Sequence, residues 1–245
     1  MSETIVWITG CTEGIGSGLA KTVPWPGARV INLSRRVHPE LETVQFDLTK
    51  PETYGAVEES FRKELAGFKG KQAIFFHNAF YPGLGGFGFV SETDQEDYAR
   101  FIQANAAAPL ILGDMFLRVV EPHYESGLVL MSSAAARHPF IGSAAYCAAK
   151  AGVEMWVRVV KRELAERGRP TWVTAVRPGF VLSAGTKIGA ALPAERYPVG
   201  AVMAKQMETG ENLLMPEEAG RDIWAALPPK NNESVLLFGE MVESR

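Results

Sequence analysis

Only two cysteines, Cys11 and Cys147, occur among the 245 residues, and neither belongs to a Cys-x-x-Cys pair. That excludes a disulfide framework and fits a reducing compartment. The four histidines, His38, His77, His123 and His138, are scattered, with no two at metal-ligand spacing, so no metal site is expected. No apolar run is long enough to cross a bilayer, and no basic stretch precedes an apolar one at the amino terminus. Neither a membrane span nor a signal peptide is therefore expected, and the cytoplasm is the expected location. Charge of one sign is nowhere concentrated, and the net charge is -3. Nucleic acid and anionic membranes are thus not expected as partners.

What is present is an alternation of strand-like and helix-like segments. Short apolar runs at residues 5–9, 29–33, 43–46, 73–76, 128–131, 172–176 and 235–238 read as strands. Between them lie helical patterns at residues 15–23, 51–65, 95–120 and 144–166, the last with Val153, Trp156, Val160 and Leu164 on one stripe. Strands separated by helices call for an α/β Rossmann fold, a doubly wound parallel sheet of about seven strands flanked by helices. No linker or repeat interrupts the pattern, so residues 1–245 are expected to form a single domain. Residues 182–216, with Gly, Pro and Met scattered through them, read as a mobile insertion over a site.

The first strand runs into Thr9-Gly10-Cys11-Thr12-Glu13-Gly14-Ile15-Gly16 and then a helix. Glycines there permit a tight turn and a close approach of backbone to a pyrophosphate at the helix N-terminus. An NAD site carries an acidic residue about 20 residues further on, for the ribose 2′-hydroxyl. This chain has Asn32-Leu33-Ser34-Arg35-Arg36 instead. Two guanidinium groups and no carboxylate favour the 2′-phosphate of NADP(H), with NAD(H) as the alternative. Glu13 in the glycine loop argues the other way.

Tyr146 and Lys150 lie four residues apart, about one turn of a helix. An ammonium beside a phenol favours the phenolate and lowers its pKa, which suits proton transfer at an oxygen.

Taken together, these motifs resemble the short-chain dehydrogenase/reductase family over nearly the whole length. The glycine loop matches TGxxxGxG, and Asp47-Leu48 stand where the family contacts adenine. His77-Asn78-Ala79-Phe80 corresponds to NNAG, keeping Asn78 and Ala79 but carrying Phe80 in place of Gly. Asn105 lies in the long helix where the family has its relay asparagine, and Ser133 precedes Tyr146 by the usual 13 residues. Ser132 is the competing serine. Pro178-Gly179 follows the sixth strand, and Ser183 replaces the usual Thr at the nicotinamide amide.

The resemblance implies Ser133, Tyr146, Lys150 and Asn105 as catalytic residues. Tyr146 is the implied proton donor, and Lys150 lowers its pKa while holding the nicotinamide ribose. Ser133 is placed on the substrate oxygen, and Asn105 on a water that connects Lys150 to solvent. The implied cofactor contacts are Gly10, Thr12, Glu13, Gly14, Ile15, Gly16, Ser34, Arg35, Arg36, Asp47, Leu48, Asn78, Ala79, Tyr146, Lys150, Pro178, Gly179, Val181 and Ser183. Ala135, Phe140 and Phe180 are placed toward the substrate. The implied activity is hydride transfer between NADP and a small uncharged carbonyl or alcohol, by a homodimer or homotetramer. The pattern around Tyr146, with Ser34-Arg35-Arg36, is similar to NADPH-dependent benzil and sepiapterin reductases. An NAD-dependent alcohol or hydroxysteroid dehydrogenase, a 3-oxoacyl thioester reductase and a non-catalytic dinucleotide sensor are the alternatives. The glycine- and aromatic-rich stretch from Tyr81 to Phe89 reads equally as a surface connection or as part of the pocket mouth.

Overall fold

The computed structural model describes residues 2–239. In chain order its elements are β1 (Thr4–Thr9), α1 (Gly14–Lys21), β2 (Arg29–Leu33), β3 (Glu42–Val44), α2 (Tyr54–Leu65) and β4 (Gln72–His77). Next come α3 (Gln95–Ile102), a π-helical turn (Gln103–Ala107), α4 (Ala108–Val119), β5 (Glu125–Met131) and α5 (Ala144–Glu166). The chain continues through β6 (Trp172–Arg177), β7 (Phe180–Val181), α6 (Ala184–Ala190), α7 (Val199–Thr209), β8 (Leu213–Leu214), α8 (Pro216–Ala225) and β9 (Val235–Leu237).

Seven strands form one parallel sheet in the order β3-β2-β1-β4-β5-β6-β9, as the alternation predicts, and β7 pairs with β8 in a separate two-stranded sheet. All six residues of β1 are buried, because helices cover both faces of the sheet. Alternate residues divide between two cores. On one side Trp7 packs with Phe61, Phe75 and Phe116. On the other, Val6 and Ile8 pack with Leu19, Phe76 and Trp224. Strand order reverses between β1 and β4, which opens a crevice at their carboxyl ends, where doubly wound sheets hold their ligands.

Two sequence expectations change here. The helix expected over residues 95–120 contains a π turn around Asn105, an irregularity common at functional sites. Residues 182–216 are not an irregular insertion. They contain α6, α7 and β8, and α6 begins with a reciprocal cap in which Ser183 Oγ accepts from Thr186 N at 3.1 Å and Ser183 N donates to Thr186 Oγ1 at 2.8 Å.

Candidate active site

The crevice is floored by the turn between β1 and α1. Gly10 has φ +77, a left-handed conformation that glycine adopts without cost. A Cβ at Gly16 would run into the Gly10 carbonyl oxygen and stand 2.6 Å from Asn78 Nδ2. Only glycine lets the helix start this close to the strand end. Thr9 Oγ1 accepts from the backbone N–H groups of Asn78 and Ala79, both at 2.8 Å, and Asn78 Nδ2 donates to the Thr9 carbonyl at 3.1 Å. Asn32 Oδ1 accepts from Cys11 N at 3.0 Å, tying the turn to β2. Thr9 and Asn32 thus hold the loop from beneath, a role their polar side chains at buried strand ends signal.

The resulting groove has a volume of about 250 Å³. Of the expected cofactor contacts, Gly10, Thr12, Glu13, Gly14, Ile15, Ser34, Arg35, Arg36, Asp47, Leu48, Asn78, Ala79 and Ser183 line it. Gly16 lies beneath the loop instead, and Tyr146, Lys150, Pro178, Gly179 and Val181 are not among the lining residues. Phe80, Tyr81, Pro82, Ala184 and Gly185 line it without having been singled out as cofactor contacts. At the arginine wall, Arg36 Nη2 lies 2.6 Å from Glu13 Oε1, both side chains largely exposed. Arg35 makes no ion pair among the described residues. Asp47 Oδ1 accepts from both Thr49 N and Thr49 Oγ1, at 2.9 and 2.8 Å.

Tyr146, Lys150 and Ser133 come together where β5 ends against α5. The Ser133 side chain acts on the Tyr146 hydroxyl by drawing its pKa down, and Ser133 Oγ accepts from Ala135 N at 3.2 Å. The neighbouring Ser132 points elsewhere. Its hydroxyl donates to Glu154 Oε1 at 2.7 Å, so Ser133 is the serine that meets the tyrosine. Lys150, 6% exposed, donates from Nζ to the Met131 carbonyl at 2.8 Å. Burial lowers its pKa to about 8.

The expected lowering of the Tyr146 pKa by Lys150 is not found. The physical reason is burial, which raises the phenol above its ordinary value, while the Ser133 side chain only partly opposes it. Lys150 Nζ bonds the Met131 carbonyl and stands 5.8 Å from the Tyr146 ring centroid. The Asn105 side chain is held by backbone on both sides of its amide. Its Oδ1 accepts from Tyr81 N at 2.9 Å and its Nδ2 donates to the Tyr81 carbonyl at 3.0 Å, which fixes the loop after β4.

That loop carries the aromatic side chains around Tyr146. Phe80 meets the Tyr146 ring edge-to-face at 5.4 Å, and Phe87 lies at 6.4 Å from it and 5.2 Å from Tyr197. The Tyr81–Phe89 stretch therefore belongs to the site. Phe80 also approaches Gly185 at the start of α6. Among the expected substrate residues, Ala135 is 2% and Phe180 6% exposed, and Phe140 is half-buried. His77, at the end of β4, is buried with no partner for Nε2 among the described residues, and burial, then the nearby Lys150 charge, lowers its pKa to about 3.

The arrangement can deliver a proton from a buried phenol to an oxygen that is also hydrogen-bonded by a serine, next to a groove shaped for a dinucleotide. Three kinds of likeness to known proteins bear on it. Residues 4–191 match the family model described as short chain dehydrogenase. A benzil reductase ((S)-benzoin forming) of Bacillus cereus is 26% identical over 186 residues, spanning 72% of this chain and 75% of that protein. Among solved structures, a short chain dehydrogenase/reductase from Saccharomyces cerevisiae superposes with a TM-score of 0.77 at 19% identity, over 96% of this chain and 95% of that one. An actinorhodin polyketide ketoreductase with NADPH does so with a TM-score of 0.74 at 18% identity, over 96% and 95%.

Proposed function

The chain belongs to the short chain dehydrogenase family, oxidoreductases of carbonyl and alcohol groups, and on that footing we propose that it is an NADP-dependent carbonyl reductase with Tyr146 as its general acid. The observation that carries the reading is the grouping of Ser133 and Tyr146 beside buried Lys150, adjoining a glycine-floored groove.

A dinucleotide fits these residues. Gly10 and Gly14 keep side chains out of the way of a pyrophosphate, and Ser34, Arg35 and Arg36 suit a ribose 2′-phosphate. Bound NADPH supplies the hydride. Tyr146 gives its phenolic proton to the carbonyl oxygen, and Ser133 donates a hydrogen bond to that oxygen as charge develops there. An ammonium has three donors, and the Met131 carbonyl takes one from Lys150. Two remain for the nicotinamide ribose hydroxyls.

The substrate is uncharged on this reading, because Phe80, Phe87 and Tyr197 surround Tyr146 with ring carbon. The likeness to benzil reductase makes flat diketones the first compounds to try. Ile111, Met155 and Val159, exposed apolar side chains on α4 and α5, suit a homodimer or homotetramer built through those helices. One observation favours an NAD-dependent enzyme instead, namely that Arg36 is already paired with Glu13.

Titration of the protein with each reduced cofactor decides between them. NADPH is expected to bind at least about ten-fold more tightly than NADH, a difference of roughly 1.4 kcal/mol. Arg35→Ala is expected to weaken NADPH and leave NADH unchanged. Tighter NADH binding, or an Arg35→Ala variant with unaltered NADPH affinity, overturns the NADP assignment. NADPH consumption over a panel of ketones, diketones, quinones and steroids tests the activity itself. The reductase reading fails if no member of the panel is turned over with either cofactor.

A further inference from the structure

Behind the groups that face the carbonyl, one buried carboxylate joins all the segments that carry them. Glu154 is 2% exposed and lies on α5, one turn past Lys150 and two past Tyr146. Its Oε1 accepts from Ser132 Oγ at 2.7 Å and from Arg177 Nε at 2.6 Å, and its Oε2 accepts from Arg177 Nη2 at 2.8 Å. Arg158, one turn further along α5, stands 3.4 Å from Oε2.

Each partner sits next to a part of the reaction site. Ser132 lies between Met131, whose carbonyl takes the Lys150 hydrogen bond, and Ser133, which acts on the Tyr146 hydroxyl. Arg177 is the last residue of β6 and leads directly into Pro178-Gly179. The sheet itself does not need this carboxylate. The β5–β6 ladder already extends through Ser132 N, which donates to the Val176 carbonyl at 2.7 Å. What the ladder leaves open is the rotation of the chain at Ser133 and after Arg177 relative to α5. A carboxylate bidentate to a guanidinium and bonded to a hydroxyl is a rigid joint with defined directions, which an apolar side chain at position 154 does not offer. Burial works against the charge on Glu154. The hydrogen bonds from Arg177 and Ser132 more than offset it and hold the carboxyl below the usual range.

We infer that Glu154 is a positioning residue that fixes Ser133 and the Pro178–Gly179 turn against the helix carrying Tyr146 and Lys150. It rests on the reading of Ser133, Tyr146 and Lys150 as the reacting groups, and it also explains why Ser132 is turned away from them.

Glu154→Gln alone leaves the half-buried Arg177 without its counter-charge and is expected to lower the thermal midpoint. The informative variant is therefore Glu154→Gln combined with Arg177→Gln, which removes both charges. Its thermal midpoint is expected to recover most of that loss. Its kcat on the best panel substrate is expected to stay about 100-fold below wild type with KM little changed, as for a small misplacement of reacting groups. Hydrogen exchange in the absence of cofactor is expected to be about ten-fold faster in residues 131–135 and 177–181. Ser132→Ala, which removes one arm at little risk to folding, is expected to lower kcat about ten-fold. Wild-type kcat in the paired variant or in Ser132→Ala, or unchanged exchange in both segments, overturns the inference. If the wild-type enzyme reduces no carbonyl, the reductase reading falls, while the exchange measurement still decides whether Glu154 orders the two segments.

Discussion

Tyr146→Phe is expected to lower kcat about 1,000-fold while NADPH affinity stays within about two-fold of wild type, the loss falling in the range of a general acid removed. The substitution isolates the hydroxyl. The ring that packs edge-to-face on Phe80 at 5.4 Å and beside Phe87 at 6.4 Å is retained, so the aromatic surroundings keep their packing. Only the hydroxyl and its transferable proton disappear. Removing one polar group of this kind costs about 1 kcal/mol of stability, too little to unfold the enzyme. Steady-state kinetics with NADPH and the best carbonyl of the panel provide the check. A variant within about three-fold of wild type removes Tyr146 from the chemistry and, with it, the reductase mechanism.

The second large effect concerns the fold. Trp7→Ala is expected to cost roughly 3–5 kcal/mol, the usual range for truncating a large buried aromatic. Trp7 has no exposed surface, donates from Nε1 to Ser60 Oγ at 3.1 Å and packs edge-to-face on Phe61 at 5.2 Å and Phe116 at 6.2 Å. Alanine leaves a cavity at the centre of the sheet and strands the Ser60 hydroxyl. For a chain of 245 residues each kcal/mol moves the midpoint by about 2–4 °C, so a fall of roughly 10 °C or more is expected in a thermal scan. Ile141→Ser, at a position 63% exposed, serves as the control and is expected to change stability by less than about 0.5 kcal/mol. Equal midpoints for the two variants count against the packing described here.

Local signals account for most of what the sequence disclosed. The alternation of apolar runs with helical periods predicts the seven-stranded parallel sheet, because each strand and helix announces itself within a few residues. The glycine loop and the arginines after β2 lie within one β-α-β unit and meet across the same groove. Features that depend on distant parts of the chain were not legible. The 13-residue spacing to Tyr146 favours Ser133 over Ser132, but that Ser132 turns to Glu154 on α5 is not legible from it. Glu154 reads as an ordinary polar position on a helix, since its partners are 22 and 23 residues away. The π turn at Asn105 leaves the apolar period of α3 and α4 nearly intact, so a continuous helix is the natural reading. In residues 182–216 the scattered Gly and Pro hide two short helices, although the Ser183-x-x-Thr186 spacing does carry a capping signal. The Tyr146 pKa also depends on burial, which raises it and which sequence spacing does not reveal.

The Glu13–Arg36 ion pair has a consequence for cofactor choice. A carboxylate 2.6 Å from the guanidinium already holds the ground that a ribose phosphate would take. Binding NADPH there is an exchange of one anion for another, and its free energy is the difference between the two partnerships. The loop therefore carries its own competitor. On the proposed NADP reading, discrimination between phosphate and hydroxyl would be set by how readily Glu13 gives up its arginine as much as by the arginine itself. Arg35, which has no such rival among the described residues, is the cation that can meet a phosphate without first releasing another partner.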